Sequence, residues 1–324
     1  MIKCLVFGGA GFIGAHVAQR LLKRGDHVTV ADNRTDAFAD RFFTRLKAKA
    51  SLDIIDVDLR LSESHARFGD DYDYIFDFAA LLGVERVLAH PWETLVDNTA
   101  LAQTAMEVAR AQRNLKSVFF AGTSEIYSGA LLHGAVSPLA ETVPLTLPDL
   151  SHSRTSYMLS KAVGESLCHY SGAPAVIGRF FNIYGPRMGM SHAIPQLMER
   201  AWKLSDGEDF AVYSADHRRA FCYIDDAVDI ILALAGSPDA IGGTYNIGNG
   251  DTDVRIDELA GIILKTVDRP QSKIVPSGDH QGSSAHRAPD MSLTKTMTGL
   301  TAATSLEHGC KQTFDWYLEN VFTA

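Results

Sequence analysis

Seven residues near the start of the chain, Gly8-Gly9-Ala10-Gly11-Phe12-Ile13-Gly14, constrain the fold more than any other part of the sequence. They follow an apolar run at residues 2–7. They open a stretch, 12–24, whose apolar residues recur at helical spacing until Gly25. A strand that ends in glycines and passes straight into a helix needs a tight turn and close packing of helix on strand. Further apolar runs at 27–31, 52–56, 74–78 and 117–121 alternate with helical stretches, the longest at 92–112. Such runs are apolar throughout, as strands covered on both faces are. The expected class is α/β, a doubly wound parallel sheet with helices on both faces.

The spacing G-x-x-G-x-x-G has a chemical reading. A turn of this kind lets backbone approach a pyrophosphate and points free helix amides at it. Glycine triplets alone are common, but Asp32 ends the second strand 18 residues after Gly14, where a carboxylate can accept from ribose hydroxyls. A carboxylate there repels a 2′-phosphate, so NAD is favoured over NADP, with Arg34 a weak opposing sign. Gly8, Gly11, Phe12, Ile13, Gly14, Asp32 and Asn33 are therefore the candidate cofactor-binding turn in a Rossmann-type sheet. On the helical stretch 151–170, Tyr157 and Lys161 stand four residues apart and share one face. A phenol titrates near ~10, and lowering it by about three units corresponds to roughly 4 kcal/mol, which a nearby ammonium and a positive nicotinamide ring could supply. Thr123, Ser124 and Glu125 end the fifth strand, at the edge where ligands of parallel sheets bind.

With these pieces placed, the chain resembles the extended short-chain dehydrogenase/reductases, in the NAD-dependent nucleotide-sugar epimerase/dehydratase/decarboxylase group. The matching stretches run in order along almost the whole sequence. They include 8–14, Asp32, Asp58-Leu59, Phe78-Ala79-Ala80, Asn98, 123–127, 157–161, 179–187, 219–226, 246–248 and 287–290. The resemblance implies that Tyr157 takes a proton from a sugar hydroxyl, usually at C4. It implies that Thr123 binds the same oxygen and that Lys161 holds the nicotinamide ribose. Asp58 and Leu59 would flank the adenine, with Ala79, Ala80 and Asn98 also on the cofactor. Asn182, Arg187, Arg219 and Arg287 would meet the anionic substrate, and His192, Ile194 and Tyr213 its nucleobase. Residues 1–180 would form the NAD domain and 181–324 a smaller α+β substrate lobe, with some later segments returning to the sheet. A homodimer through paired 92–112 and 151–170 helices is also implied. The alternative is that the apolar stripe Leu95, Leu101, Met106 and Val108 merely packs on the sheet.

The second chemical step turns on residues 123–125. Dehydratases of the group carry Asp-Glu after the threonine, and Ser124 replaces that acid here. The Thr-Ser-Glu-x-Tyr form resembles UDP-glucuronate decarboxylases, with Glu125 and Arg219 managing charge around C5. Residues 156–159, 128–130 and 81–86 depart from that subgroup. A UDP-sugar 4-epimerase, a net oxidation or C5 epimerisation, and a catalytically silent NAD-binding regulatory protein remain open.

Composition narrows the partners. The chain has 324 residues with 30 Lys+Arg against 39 Asp+Glu, a net charge of −9, which offers no basic nucleic-acid footprint. No apolar run nears the ~20 residues of a membrane helix, and the apolar start is too short for a signal peptide. Cys4, Cys168, Cys222 and Cys310 lie far apart, which points to a reducing, cytoplasmic setting. None of the 12 histidines forms a metal-binding pair pattern. His280 and His286 fall in the stretch 276–289, expected to be a loop over the cleft.

Overall fold

A computed structural model describes residues 1–205, 207–278 and 284–323. The apolar runs become β1 (Lys3–Phe7), β2 (His27–Asp32), β3 (Leu52–Asp56), β4 (Tyr74–Asp77), β5 (Ser117–Thr123) and β6 (Ala175–Phe180). Together with the strand Thr244–Ile247 they form one seven-stranded sheet. Its order is Thr244–Ile247, β6, β5, β4, β1, β2, β3, and every pairing is parallel.

Alternation along β1 explains the two cores. Cys4 and Val6 face one side, with Val28, Phe76 and Phe119, and pack against α1 (Phe12–Arg24). Leu5 and Phe7 face the other side, with Ile75, Val118 and Phe120. That second face is covered by α4 (Pro91–Arg110) and α6 (Thr155–Tyr170). The intervening helices α2 (Arg41–Lys47), α3 (Val84–Ala89) and α5 (Ser128–Leu132) are short. Each is one to two turns on the edge of the cleft. The arrangement is the Rossmann-type doubly wound sheet expected from the sequence.

The first core does not stop at the sheet. Ile224–Gly236, Ile256–Thr266 and Leu306–Tyr317 are helices of the later chain, and their buried faces join the cluster that contains α1. The later chain also carries a three-stranded sheet in which Arg218–Ala220 lies between Asp253–Arg255 and His286–Arg287. The sequence reading left 276–289 as loop. His286–Arg287 is instead a strand, while His280 lies outside the described residues.

Leu101, Met106 and Val108 are 8%, 3% and 2% exposed and belong to the core under α4. Three residues of the stripe considered for a dimer face are thus consumed within the chain. Among the described residues no helix is long and apolar enough to cross a membrane.

Candidate active site

The glycine turn is built so that nothing but backbone occupies it. Gly8 has φ +66°, and a Cβ there would stand 2.7 Å from the Ala79 nitrogen. A Cβ on Gly14 would stand 2.5 Å from the Gly8 oxygen. On Gly11 it would meet only that same oxygen, at 3.0 Å, and otherwise open space. Gly11 caps α1 without a side chain, so the first-turn amides of Phe12, Ile13 and Gly14 have no intrahelical partner. Asp32 is 7% exposed; its two oxygens accept from the amides of Ala10 and Arg34, both at 3.0 Å. A carboxylate has further lone pairs, so it can still accept from a diol. Asn33 reaches Asp58, which Arg60 grips on both oxygens while also binding Asp97 at 2.9 Å. Arg60 first, and Asn33 last, hold the Asp58 carboxyl below its usual range. Leu59 is buried beside them. An adenosine diphosphate fits this edge: bare amides for phosphate, a paired acid for ribose, and an apolar shelf.

Asn98 takes a different place. Its side chain accepts from the Leu81 amide at 2.7 Å and donates to the Leu81 carbonyl at 3.0 Å. It also reaches Ser160 at 3.3 Å. Asn98 therefore ties the loop after β4 to α6, next to Ala79 and Ala80, and sets the shape of the cofactor edge.

At the carboxyl end of β5, Thr123 caps the following 3-10 turn by accepting from the Glu125 amide at 3.2 Å. Its hydroxyl is also hydrogen-bonded to Tyr157 of α6. Lys161 is 5% exposed, donates to the Ala121 carbonyl at 2.8 Å, and lies 4.9 Å over the Phe120 ring. Burial pulls its pKa down, opposed by the carboxylate of Asp77. The phenol does not have the lowered pKa expected from the sequence. Burial and then the charge of Glu125 push it up to about 12, against the Thr123 hydrogen bond. Ser124 is buried beside this pair.

Glu125 is the hub of the second cluster. It accepts from Arg287 at 2.7 Å and meets Arg154 at 3.4 Å. Burial would raise its pKa, but Arg287 and Arg154 together outweigh it and hold the carboxyl below its usual range. Arg219 belongs to the same group: burial first, then the neighbouring Arg287, pulls its pKa down to about 10. Three guanidiniums therefore face one carboxylate. Arg287 Nε is buried without a hydrogen-bond partner among the described residues. Register explains the gathering, because Arg287 pairs with Arg219 and so shares its face. The neighbouring pair, His286 and Arg218, points to the other face, where both bind Asp253.

The remaining expected residues have these surroundings. Asn182 donates to the Ala220 carbonyl at 3.0 Å. His192 caps the helix Ala193–Trp202, and burial lowers its pKa. Tyr213 is 45% exposed beneath the guanidinium of Arg200. Arg187 is not in the cleft with Arg219 and Arg287. Its side chain is 6% exposed and bonds Asp40 and the backs of Ala10 and Gly11.

Sequence reasoning missed two site residues. Arg154 stands three before Tyr157, a spacing that shares a helical face and was available as a signal. Asp77 ends β4 and is 2% exposed; one oxygen accepts from Ala79 at 3.1 Å and the other has no partner among the described residues. Only the sheet register, which sets it beside Phe7 and Phe120, shows that it is buried.

Comparisons with known proteins bear on the family and the fold. The model of the NAD dependent epimerase/dehydratase family matches residues 4–248. The chain is 32% identical to the UDP-N-acetyl-alpha-D-glucosaminuronate decarboxylase of Bacillus cytotoxicus, over 98% of each chain. It is 28% identical to the uncharacterized UDP-glucose epimerase YtcB of Bacillus subtilis, over 95% of each. The crystal structure of UDP-glucuronic acid 4-epimerase from Bacillus cereus, with UDP-glucuronic acid and NAD, superposes with a TM-score of 0.85. That likeness covers 98% of this chain and 99% of that one at 23% identity, and speaks to the fold.

Proposed function

This chain belongs to the NAD dependent epimerase/dehydratase family, and from that premise we propose that it decarboxylates a UDP-linked hexuronate. The observation that carries the reading is the excess of guanidinium around Glu125, with Arg154, Arg219 and Arg287 gathered beside the Thr123–Tyr157 pair. The diphosphate of any UDP-sugar meets part of that charge, but beside the Thr123–Tyr157 pair a neutral hexose offers it no anion. A sugar carboxylate does, through charge-assisted hydrogen bonds. The relative from Bacillus cytotoxicus, a decarboxylase of a UDP-linked uronate, supports the same substrate class.

The chemistry that NAD supplies when bound is reversible acceptance of a hydride. Tyr157 takes the hydroxyl proton at C4, and Thr123 orients that oxygen. Lys161 would hold the nicotinamide ribose, and with NAD bound its ammonium and the positive nicotinamide ring would together favour the phenolate. A ketone at C4 makes the C5 carboxylate a β-keto acid. Its C–C bond then breaks with the electron pair passing to the C4 oxygen and carbon dioxide leaving. Arg287 and Arg154 hold the carboxylate until it departs, and the Tyr157 proton is in place for the C4 oxygen.

The test is incubation of the purified protein with UDP-glucuronate, UDP-N-acetylglucosaminuronate and the matching neutral UDP-sugars, read by mass spectrometry. Loss of carbon dioxide from a uronate supports the reading. An unchanged mass with an inverted C4 centre by NMR replaces it with 4-epimerisation. No product and no NADH absorbance from any of them replaces it with a silent dinucleotide-binding protein.

A further inference from the structure

Arg187, expected among the substrate arginines, reaches under the glycine turn from 176 residues beyond Gly11 in the chain. It takes up φ +72°, a left-handed conformation that is unfavourable for a residue with a Cβ. What that conformation achieves is a nearly saturated guanidinium. Nε donates to Asp40 at 2.6 Å, Nη2 to the Ala37 carbonyl at 3.2 Å, and Nη1 to both the Ala10 and Gly11 carbonyls at 2.8 Å. The rings of Phe42 and Phe43 lie 5.4 and 5.1 Å from it.

Peptide planarity turns those last two bonds into a constraint on the other side of the turn. In a trans peptide the carbonyl and the following amide point in opposite directions. Holding the Ala10 oxygen fixes the Gly11 amide, which closes the turn on the Gly8 carbonyl at 3.0 Å. Holding the Gly11 oxygen directs the Phe12 amide, the first of α1, away from Arg187 and into the open space above Gly11. A buried positive charge bonded to a carbonyl also polarises its peptide, making the amide a stronger donor. The first turn of α1 has no acidic residue to oppose an anion there. Asp40 offsets part of the charge, but its other oxygen is spent capping α2 through the Phe43 amide.

We propose that Arg187 is a positioning residue for the cofactor: it holds the backs of two peptides so that the α1 amides face the dinucleotide pyrophosphate, and itself touches neither cofactor nor sugar. The proposal rests on the dinucleotide reading of the turn and is independent of whether the sugar is decarboxylated.

The experiment compares wild type, Arg187→Met, Arg187→Lys and Asp40→Asn, each stripped of cofactor. The affinities for NAD and for UDP are measured separately by calorimetry. Arg187→Met is expected to weaken NAD by about tenfold or more, the size of a lost charge-assisted hydrogen bond, with UDP affinity unchanged. Arg187→Lys keeps the charge without the fork and should fall between. Asp40→Asn, which leaves both carbonyl contacts, should weaken NAD less than Arg187→Met. The same NAD affinity in both Arg187 variants as in wild type overturns the proposal. So does an equal loss of NAD and UDP, which would make Arg187 a general staple of the fold. Weakened UDP with intact NAD overturns it in favour of a substrate contact. None of these readings depends on product formation, so they stand apart from the outcome of the decarboxylation assay.

Discussion

Glu125 and Arg287 meet at 2.7 Å although 162 residues separate them in the chain. The contact joins the end of β5 to the late strand His286–Arg287, and so the Thr123–Tyr157 pair to the arginine cluster.

Removing the phenol separates binding from chemistry. Tyr157→Phe should lower turnover of the nucleotide sugar at least about 100-fold, the ordinary worth of a positioned acid–base group. NAD should stay bound, since the glycine turn and Asp32 are untouched. Steady-state rates and the cofactor content of the purified variant check both halves.

The pKa of Tyr157 should respond to Glu125 in a definite direction. A neighbouring negative charge disfavours the phenolate, and Glu125 is one of the two causes that push this phenol up to about 12. Glu125→Gln should therefore lower the midpoint of Tyr157 ionisation. An ultraviolet difference titration against the Glu125→Gln/Tyr157→Phe double variant isolates it, and a midpoint that stays or rises contradicts the assignment.

Arg154 should matter to acidic substrates more than to neutral ones. It holds Glu125 from the side opposite Arg287 and stands one helical turn before Tyr157. Arg154→Met should reduce kcat/KM for a UDP-hexuronate by about 10- to 100-fold, the range of a charged hydrogen bond. Affinity for UDP alone should be unchanged.

The buried Asp77 makes stability depend on pH. Burial raises its carboxyl from the ordinary 3.8 to about 6, opposed by Lys161 and the Ala79 amide. A raised pKa means the neutral form is favoured in the fold, so its stabilising share is full below about pH 4 and is lost as pH rises through 6. Asp77→Asn should remove that loss. Urea denaturation at pH 5 and at pH 8 should show the variant gaining on wild type by about 1.4 kcal/mol, roughly half of the full change, since the other half falls below pH 5.

A buried ion pair supports the catalytic turn from behind. Glu165 and Arg179 are each 5% exposed and joined by two bonds, at 2.9 and 2.7 Å. Arg179 also donates to Tyr127, which donates to Asn246. Glu165→Ala leaves that guanidinium unpaired and should cost about 3–5 kcal/mol by urea denaturation.

The sheet and the glycine turn were legible because they depend on local pattern: apolar runs, a helical period and glycines at fixed spacing. The Tyr157–Lys161 face was legible for the same reason, as both lie on one helix. What escaped depends on long-range pairing. Arg187 was placed with Arg219 and Arg287 by charge alone, and only the fold shows that it passes beneath the turn. Asp77 reads as a strand-end polar residue until its neighbours β1 and β5 bury it. The small sheet around Arg218–Ala220 was unseen because two- and three-residue strands have no period to detect.

That small sheet makes anion recognition a property of register. Arg219 with Arg287, and Arg218 with His286, are adjacent pairs of similar charge on opposite faces of the same ladder. Point substitutions around them change strength by degrees. A one-residue slip of the strand His286–Arg287 would instead put His286 or Ala288 in the place of Arg287 and take its guanidinium off the face of Glu125. Under the proposed function, the anion site therefore depends on how that two-residue strand is paired as much as on which residues it carries.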